Sequence, residues 1–157
     1  MLALLLPIVL EITTVFMANR IQGFRMPVEG GVVTSSFGIR ADPFLKTRKK
    51  HLGVDIAAPA GTSIQPIAPG RITFSGPYGA FGNLVVVQHG REVTTHYAHC
   101  WGTRVKVGDL VSDNTIPGFV GSTGRATGPH LHFEIRHKGI ALDPAGVISV
   151  EDVFHGK

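Results

Sequence analysis

The sequence predicts an all-β domain, a mostly antiparallel sheet or sandwich, preceded by an apolar N-terminal segment read as a helix. Three observations point there. The 157 residues hold 20 Gly and 10 Pro with only 17% charged residues, a balance that favours turns over solvated helix faces. Apolar runs beyond Phe24 are short and rich in β-branched residues. Turn signals separate those runs at near-even spacing, with no heptad and no long amphipathic pattern.

Taken in order, residues 1–23 form a unit of their own. "MLALLLPIVLEITTVFMANR" is apolar, and three readings compete for it. A secretory signal expects a basic start and a small-x-small cleavage site, yet no basic residue precedes Arg20, and Phe16 stands three residues before the best cleavage point, after Ala18. A membrane anchor must accommodate Glu11 mid-stretch and the following Arg20 and Arg25. The third is a helix that packs on the domain or on a partner protein, or inserts transiently in a membrane. The body domain is expected over 24–147. There "GGVVTSSFGIR" places turn residues around a short strand, and "GTSIQPIAPGRITFSG" gives two strands across a Pro-Gly turn. "NLVVVQHG", "EVTTHYAHC", "TRVKVGDLV" (alternating, then turning at Gly108–Asp109) and the alternating "HLHFEIR" supply further strands. Residues 148–157 are a short polar tail.

Charge and cysteine content exclude some functions. Fifteen Lys and Arg against eleven Asp and Glu give +4, a mild preference for anionic surfaces. The one dense basic cluster, Lys46, Arg48, Lys49 and Lys50, is too small for a nucleic-acid-binding face, so no nucleic-acid partner is expected. Cys100 is the only cysteine, so no intrachain disulfide forms, and it reads as a small buried apolar side chain rather than a nucleophile.

The candidate chemistry lies in histidines. In "HLGVD", His51 and Asp55 flank a glycine, which argues for a turn entering a strand; both side chains are good zinc ligands, and an exposed histidine beside a turn aspartate fits the pair equally. In "HYAHC", His96 and His99 should point to opposite faces of a strand. In "HLHFEIR", period-two geometry puts His130 and His132 on one face, with Glu134 beside them to orient or simply to solvate; Leu131, Phe133 and Ile135 then face the core. A catalytic zinc needs three protein ligands and an open position, fewer than the donors offered here. No His-Glu-x-x-His helix motif is present.

In this order, "SSFGIRADP", "HLGVDIAAPAGTSIQPIAPGRITFSG", "GNLVVVQHG", "HYAHC", "VKVGD" and "GFVGSTGRATGPHLHFEIRHKGIALDP" resemble the M23 (lysostaphin/LytM-type) zinc metallopeptidases, over about Val28 to Val147. The resemblance implies an endopeptidase that hydrolyses peptide bonds of the peptidoglycan stem or cross-bridge, acting at the cell wall on the periplasmic or extracellular side. By matched position it implies one Zn2+ ion held by His51, Asp55 and His132, with His99 and His130 as the non-ligand active-site histidines. One of these two takes a proton from the attacking water and the other steadies the oxyanion. "GSTGRATGP" is expected to form a loop at the cleft rim. Cys100 departs from the family's usual leucine, and His89, His96, His137 and His155 match no catalytic position. Two alternatives stay open. One is a catalytically silent LytM-like domain that binds peptidoglycan or regulates another hydrolase. The other is one of context: a membrane-anchored hydrolase or a phage virion- or tail-associated lytic protein, docked through residues 1–23.

Overall fold

A computed structural model describes residues 26–42 and 44–146. The helix read over residues 1–23, the tail at 148–157 and both domain boundaries lie outside the described residues. Among the described residues no helix is long and apolar enough to cross a membrane.

The strands are β1 (Val32–Ser35), β2 (Gly38–Ala41), β3 (Arg48–His51), β4 (Val54–Ala57), β5 (Ser63–Ile64), β6 (Gly70–Pro77), β7 (Asn83–His89), β8 (Val93–Cys100), β9 (Gly102–Thr103), β10 (Leu110–Val111), β11 (Gly118–Phe119), β12 (His130–His137) and β13 (Ile140–Leu142). Short 3-10 turns at Gly79–Phe81 and Pro144–Gly146 are the helical elements among the described residues. All strand pairings are antiparallel. The main sheet runs β1-β4-β12-β8-β7-β6-β10, with β13 beside β12; β5-β11-β9 and β2-β3 form two small sheets. The all-β, antiparallel architecture is therefore as the turn spacing predicts.

β12 is the strand that organises the site. Its odd-numbered residues Leu131, Phe133 and Ile135 are all fully buried, joining Ile56, Val85, Val87 and Tyr97 in the main core. Each such side chain contributes roughly 1.5–3 kcal/mol by leaving water. That burial fixes the register, because a slip of one residue would turn the apolar set outward. The same register then aims His130, His132, Glu134 and Arg136 to the other face. Across the sheet, His132 lies opposite Asp55 on β4 and opposite Ala98 on β8.

Gly53 sits between His51 at the end of β3 and Asp55 in β4. A Cβ there would meet the Phe133 carbonyl oxygen at 2.2 Å, so glycine lets this link lie directly on β12. The i, i+4 spacing of His51 and Asp55 is thus a strand–turn–strand feature, not a helical one.

Two readings are corrected by the structure. His96 and His99 do not point to opposite faces. The β7–β8 ladder shifts register between Asn83 and Val85, and His99 takes φ +62°, the left-handed region that non-glycine residues seldom occupy. This bulge turns His99 onto the face of His132, whose face His96 also shares. In "TRVKVGDLV" the chain turns through Gly108–Asp109 as expected, but the alternating residues before that turn form no strand beyond Thr103. Asp109 caps the backbone N–H of Lys106 through its carboxylate at 2.9 Å, turning the chain before β10 can pair with β6.

Candidate metal and catalytic centre

His51, Asp55 and His132 meet at the centre of the cleft. His51 Nε2 lies 3.1 Å from Asp55 Oδ1 and 3.0 Å from His132 Nδ1; His132 Nδ1 lies 2.9 Å from the same Asp55 oxygen. Each residue is buried. Zinc bonds of about 2.0–2.1 Å in a tetrahedron separate ligand atoms by about 3.3 Å. Three donors drawn together at this spacing, two imidazole nitrogens and a carboxylate oxygen, fit one such ion.

Outer contacts fix how each donor faces inward. His51 Nδ1 donates to the Ser36 carbonyl oxygen at 2.8 Å, which leaves Nε2 as the free donor. His132 is reversed: Nδ1 faces the centre and Nε2 meets Glu134 Oε1 at 2.8 Å. Asp55 offers Oδ1 inward, while Arg40 Nη2 holds Oδ2 at 3.1 Å. Burial alone would raise the Asp55 carboxyl, but hydrogen bonds and charge from His132 and His51 outweigh it and hold Asp55 well below the usual carboxylate range. Burial likewise opposes charge on His132, and the hydrogen bonds to Asp55 and Glu134 reverse it, raising the ring above the ordinary histidine value.

His99 and His130 stand beside this cluster. Their rings are 4.8 Å apart between centroids, and His99 is 5.9 Å from His132. His130 Nε2 lies 3.7 Å from Asp55 Oδ1. Each has its Nδ1–H on a backbone carbonyl, His99 on Thr123 and His130 on Gly128, both at 2.8 Å. In the neutral tautomer with this bond, each ring presents a bare Nε2 atom. Burial, with His130 and His132 nearby, depresses His99 to about 4 despite the Thr123 bond, so it is uncharged at neutral pH.

The carbonyls that hold these two rings belong to residues 121–129, the glycine-rich loop expected at the rim. Gly124 (φ +71°) lies so close to Gly82 that a Cβ would meet the Gly82 nitrogen at 2.3 Å. Thr123 Oγ1 adds bonds to the Cys100 carbonyl at 2.8 Å and the Asn83 N–H at 3.0 Å. At the far end Arg125 pairs with buried Asp42 at 2.7 Å and lies over the Phe44 ring. The loop and the β2–β3 turn together bound a cleft of about 710 Å3 that holds all five sequence-selected residues.

The remaining candidates fall elsewhere. Cys100 is fully buried, its thiol pushed up to about 12 by burial, which is the unreactive state expected of it. His89 is buried between the Pro69 carbonyl and Thr95, and His137 pairs with Glu92 at 3.2 Å. His96 is packed opposite Glu134, depressed to about 4 by burial and by Arg136. His155 lies outside the described residues. Sequence reasoning missed Arg40. Its contact with Asp55 depends on how the β2–β3 hairpin folds over β4, and no local spacing announces that.

The comparisons agree with this geometry. Residues 49–144 match the model of Peptidase family M23. A DD-carboxypeptidase/endopeptidase, Mpg, of Neisseria meningitidis is 45% identical over 115 residues, covering 73% of this chain and 26% of the relative. The chain thus spans about a quarter of the length of the curated relatives it matches. A zinc-containing peptidase from Vibrio cholerae superposes with TM-score 0.71 at 32% identity, over 78% of this chain and 39% of that one. The catalytic domain of lysostaphin from Staphylococcus simulans gives 0.65 at 30% identity, over 71% and 87%. With buried imidazole and carboxylate donors converging as the matched sequence requires, this chain belongs to peptidase family M23.

Proposed function

We propose that the chain is a zinc metalloendopeptidase that cleaves peptide cross-links in peptidoglycan, with His51, Asp55 and His132 as ligands and His99 and His130 as catalytic residues. The observation that carries this is the convergence of all five side chains in one cleft, with three donor atoms within 3.1 Å of one another and two bare imidazole nitrogens alongside. That arrangement favours the enzyme over the catalytically silent wall-binding domain. Zinc, when bound, supplies Lewis acidity at the scissile carbonyl and lowers the pKa of water.

The protein's own residues do the rest. In their neutral form the rings of His99 and His130 accept at Nε2 rather than donate, because each Nδ1–H is already committed to a carbonyl. A proton accepted at either Nε2 makes that ring a cationic donor, able first to steady the oxyanion and then to protonate the leaving amine. The loop 121–129 aims both rings inward through the Thr123 and Gly128 carbonyls.

For the bond cleaved, the reading is a stem-peptide cross-link with D-configured residues. The relative Mpg is named a DD-carboxypeptidase/endopeptidase. In addition, Lys49 and Lys50 line the cleft, where Arg40 and Arg125 are already paired with Asp55 and Asp42, and the two lysines suit the carboxylates of a stem peptide rather than an uncharged glycine bridge. The test is digestion of defined cross-linked muropeptides followed by mass spectrometry. Release of monomers cut at the D-alanyl–diaminopimelate bond is expected; cleavage of pentaglycine alone would overturn the bond assignment. Membrane or virion docking through residues 1–23 belongs to the same proposal as a means of delivery.

A further inference from the structure

Beyond the ligands and the two catalytic histidines, we infer that Glu134, anchored by Arg136, is a positioning residue that makes His132 bind the metal through Nδ1. The inference rests on the zinc reading above. Glu134 is 1% exposed, yet it is a carboxylate with both oxygens in use. Oε1 meets His132 Nε2 at 2.8 Å, and Oε2 accepts from Arg136 Nε at 2.7 Å and Nη2 at 2.6 Å. Its environment leaves no oxygen free for water or substrate, so it is not the proton acceptor of the reaction.

The arrangement follows from strand geometry. His132, Glu134 and Arg136 are i, i+2 and i+4 on β12, so all three project from the same face. Adjacent side chains on that face are near enough for direct hydrogen bonds, and no loop is needed to assemble them. A buried histidine with no outer partner is free to turn its ring and offer either nitrogen. The Nε2–H bond to Glu134 removes that freedom, because turning the ring would break it and leave a buried carboxylate oxygen without its donor. Arg136, partly exposed two residues further along the same face, takes the second oxygen and keeps the carboxylate from rotating away.

His51 gives the contrast. It faces the centre through Nε2 and is held from behind by a neutral backbone carbonyl at Ser36. The two imidazole ligands are thus bound through opposite nitrogens and oriented by different chemistry. Only His132 has an anionic partner, which makes it the more basic donor and the one whose affinity depends on a replaceable side chain.

The experiment measures zinc affinity of the full chain by competition with a chromophoric chelator, and reads the His132 ring nitrogens by 15N NMR in the zinc-loaded protein. Glu134→Gln is nearly isosteric and is expected to weaken zinc by about 10- to 100-fold, with a changed His132 Nε2–H signal. Arg136→Met should weaken zinc less and leave His132 bound through Nδ1. If Glu134→Gln does not fold, Arg136→Met carries the test. Wild-type zinc affinity with an unchanged His132 signature, in whichever variant folds, overturns the inference. Failure of the wild-type protein itself to bind zinc contradicts the proposed function instead, so the two failures are distinguishable.

Discussion

His132→Ala is expected to abolish zinc retention and, with it, all cleavage. His132 supplies one of three donor atoms and is the one through which β12 joins the centre. Its loss leaves Asp55 and His51 as a two-donor set, and a catalytic zinc needs three protein ligands. The substitution also strands Glu134, whose Oε1 loses its partner in a buried position. Desalted His132→Ala protein should carry no zinc by atomic absorption, while its β-sheet circular dichroism persists, because Leu131 and Phe133 hold the strand from the other face. Stoichiometric zinc in that variant would remove His132 from the ligand set.

His99→Ala should have the second largest effect, and of a different kind. Its Nε2 lies outside the donor triangle, so with the role proposed for it zinc should remain at one equivalent. Turnover should fall by about 10²–10⁴-fold, the usual worth of a positioned acid–base group. His130→Ala should behave alike, since both rings present a bare Nε2 beside the same cluster. Full activity with bound zinc in His99→Ala would sink the assignment. Separation of the two phenotypes, metal loss in one variant and silent metal in the other, is what distinguishes ligand from catalyst.

Much of this was legible in the sequence because β12 obeys a simple rule. Alternation alone sends Leu131, Phe133 and Ile135 inward and His130 and His132 outward, and burial enforces it. The turn through Gly53 was equally legible, since glycine between two candidate ligands argues against a helix. The failures have a common cause. His99 breaks alternation through a bulge and a left-handed backbone, and both depend on the partner strand β7 rather than on local residues. "TRVKVGDLV" turns at Gly108–Asp109 as its glycine suggests, yet the alternating residues before the turn bond to distant segments, Arg104 N–H to Pro117 and the Val105 carbonyl to Ser75, rather than forming a strand. Arg40 reaches Asp55 only after the β2–β3 hairpin has folded against β4. Pattern predicts what one strand does on its own; contacts between distant segments decide the rest.

The most direct test of the whole account is a zinc titration of the metal-free protein against a purified cross-linked muropeptide. The account predicts no cleavage in the stripped protein and recovery that rises linearly and breaks at one equivalent of zinc. Cleavage that persists without metal, or zinc bound at one equivalent with no cleavage of any cross-linked muropeptide, would contradict it.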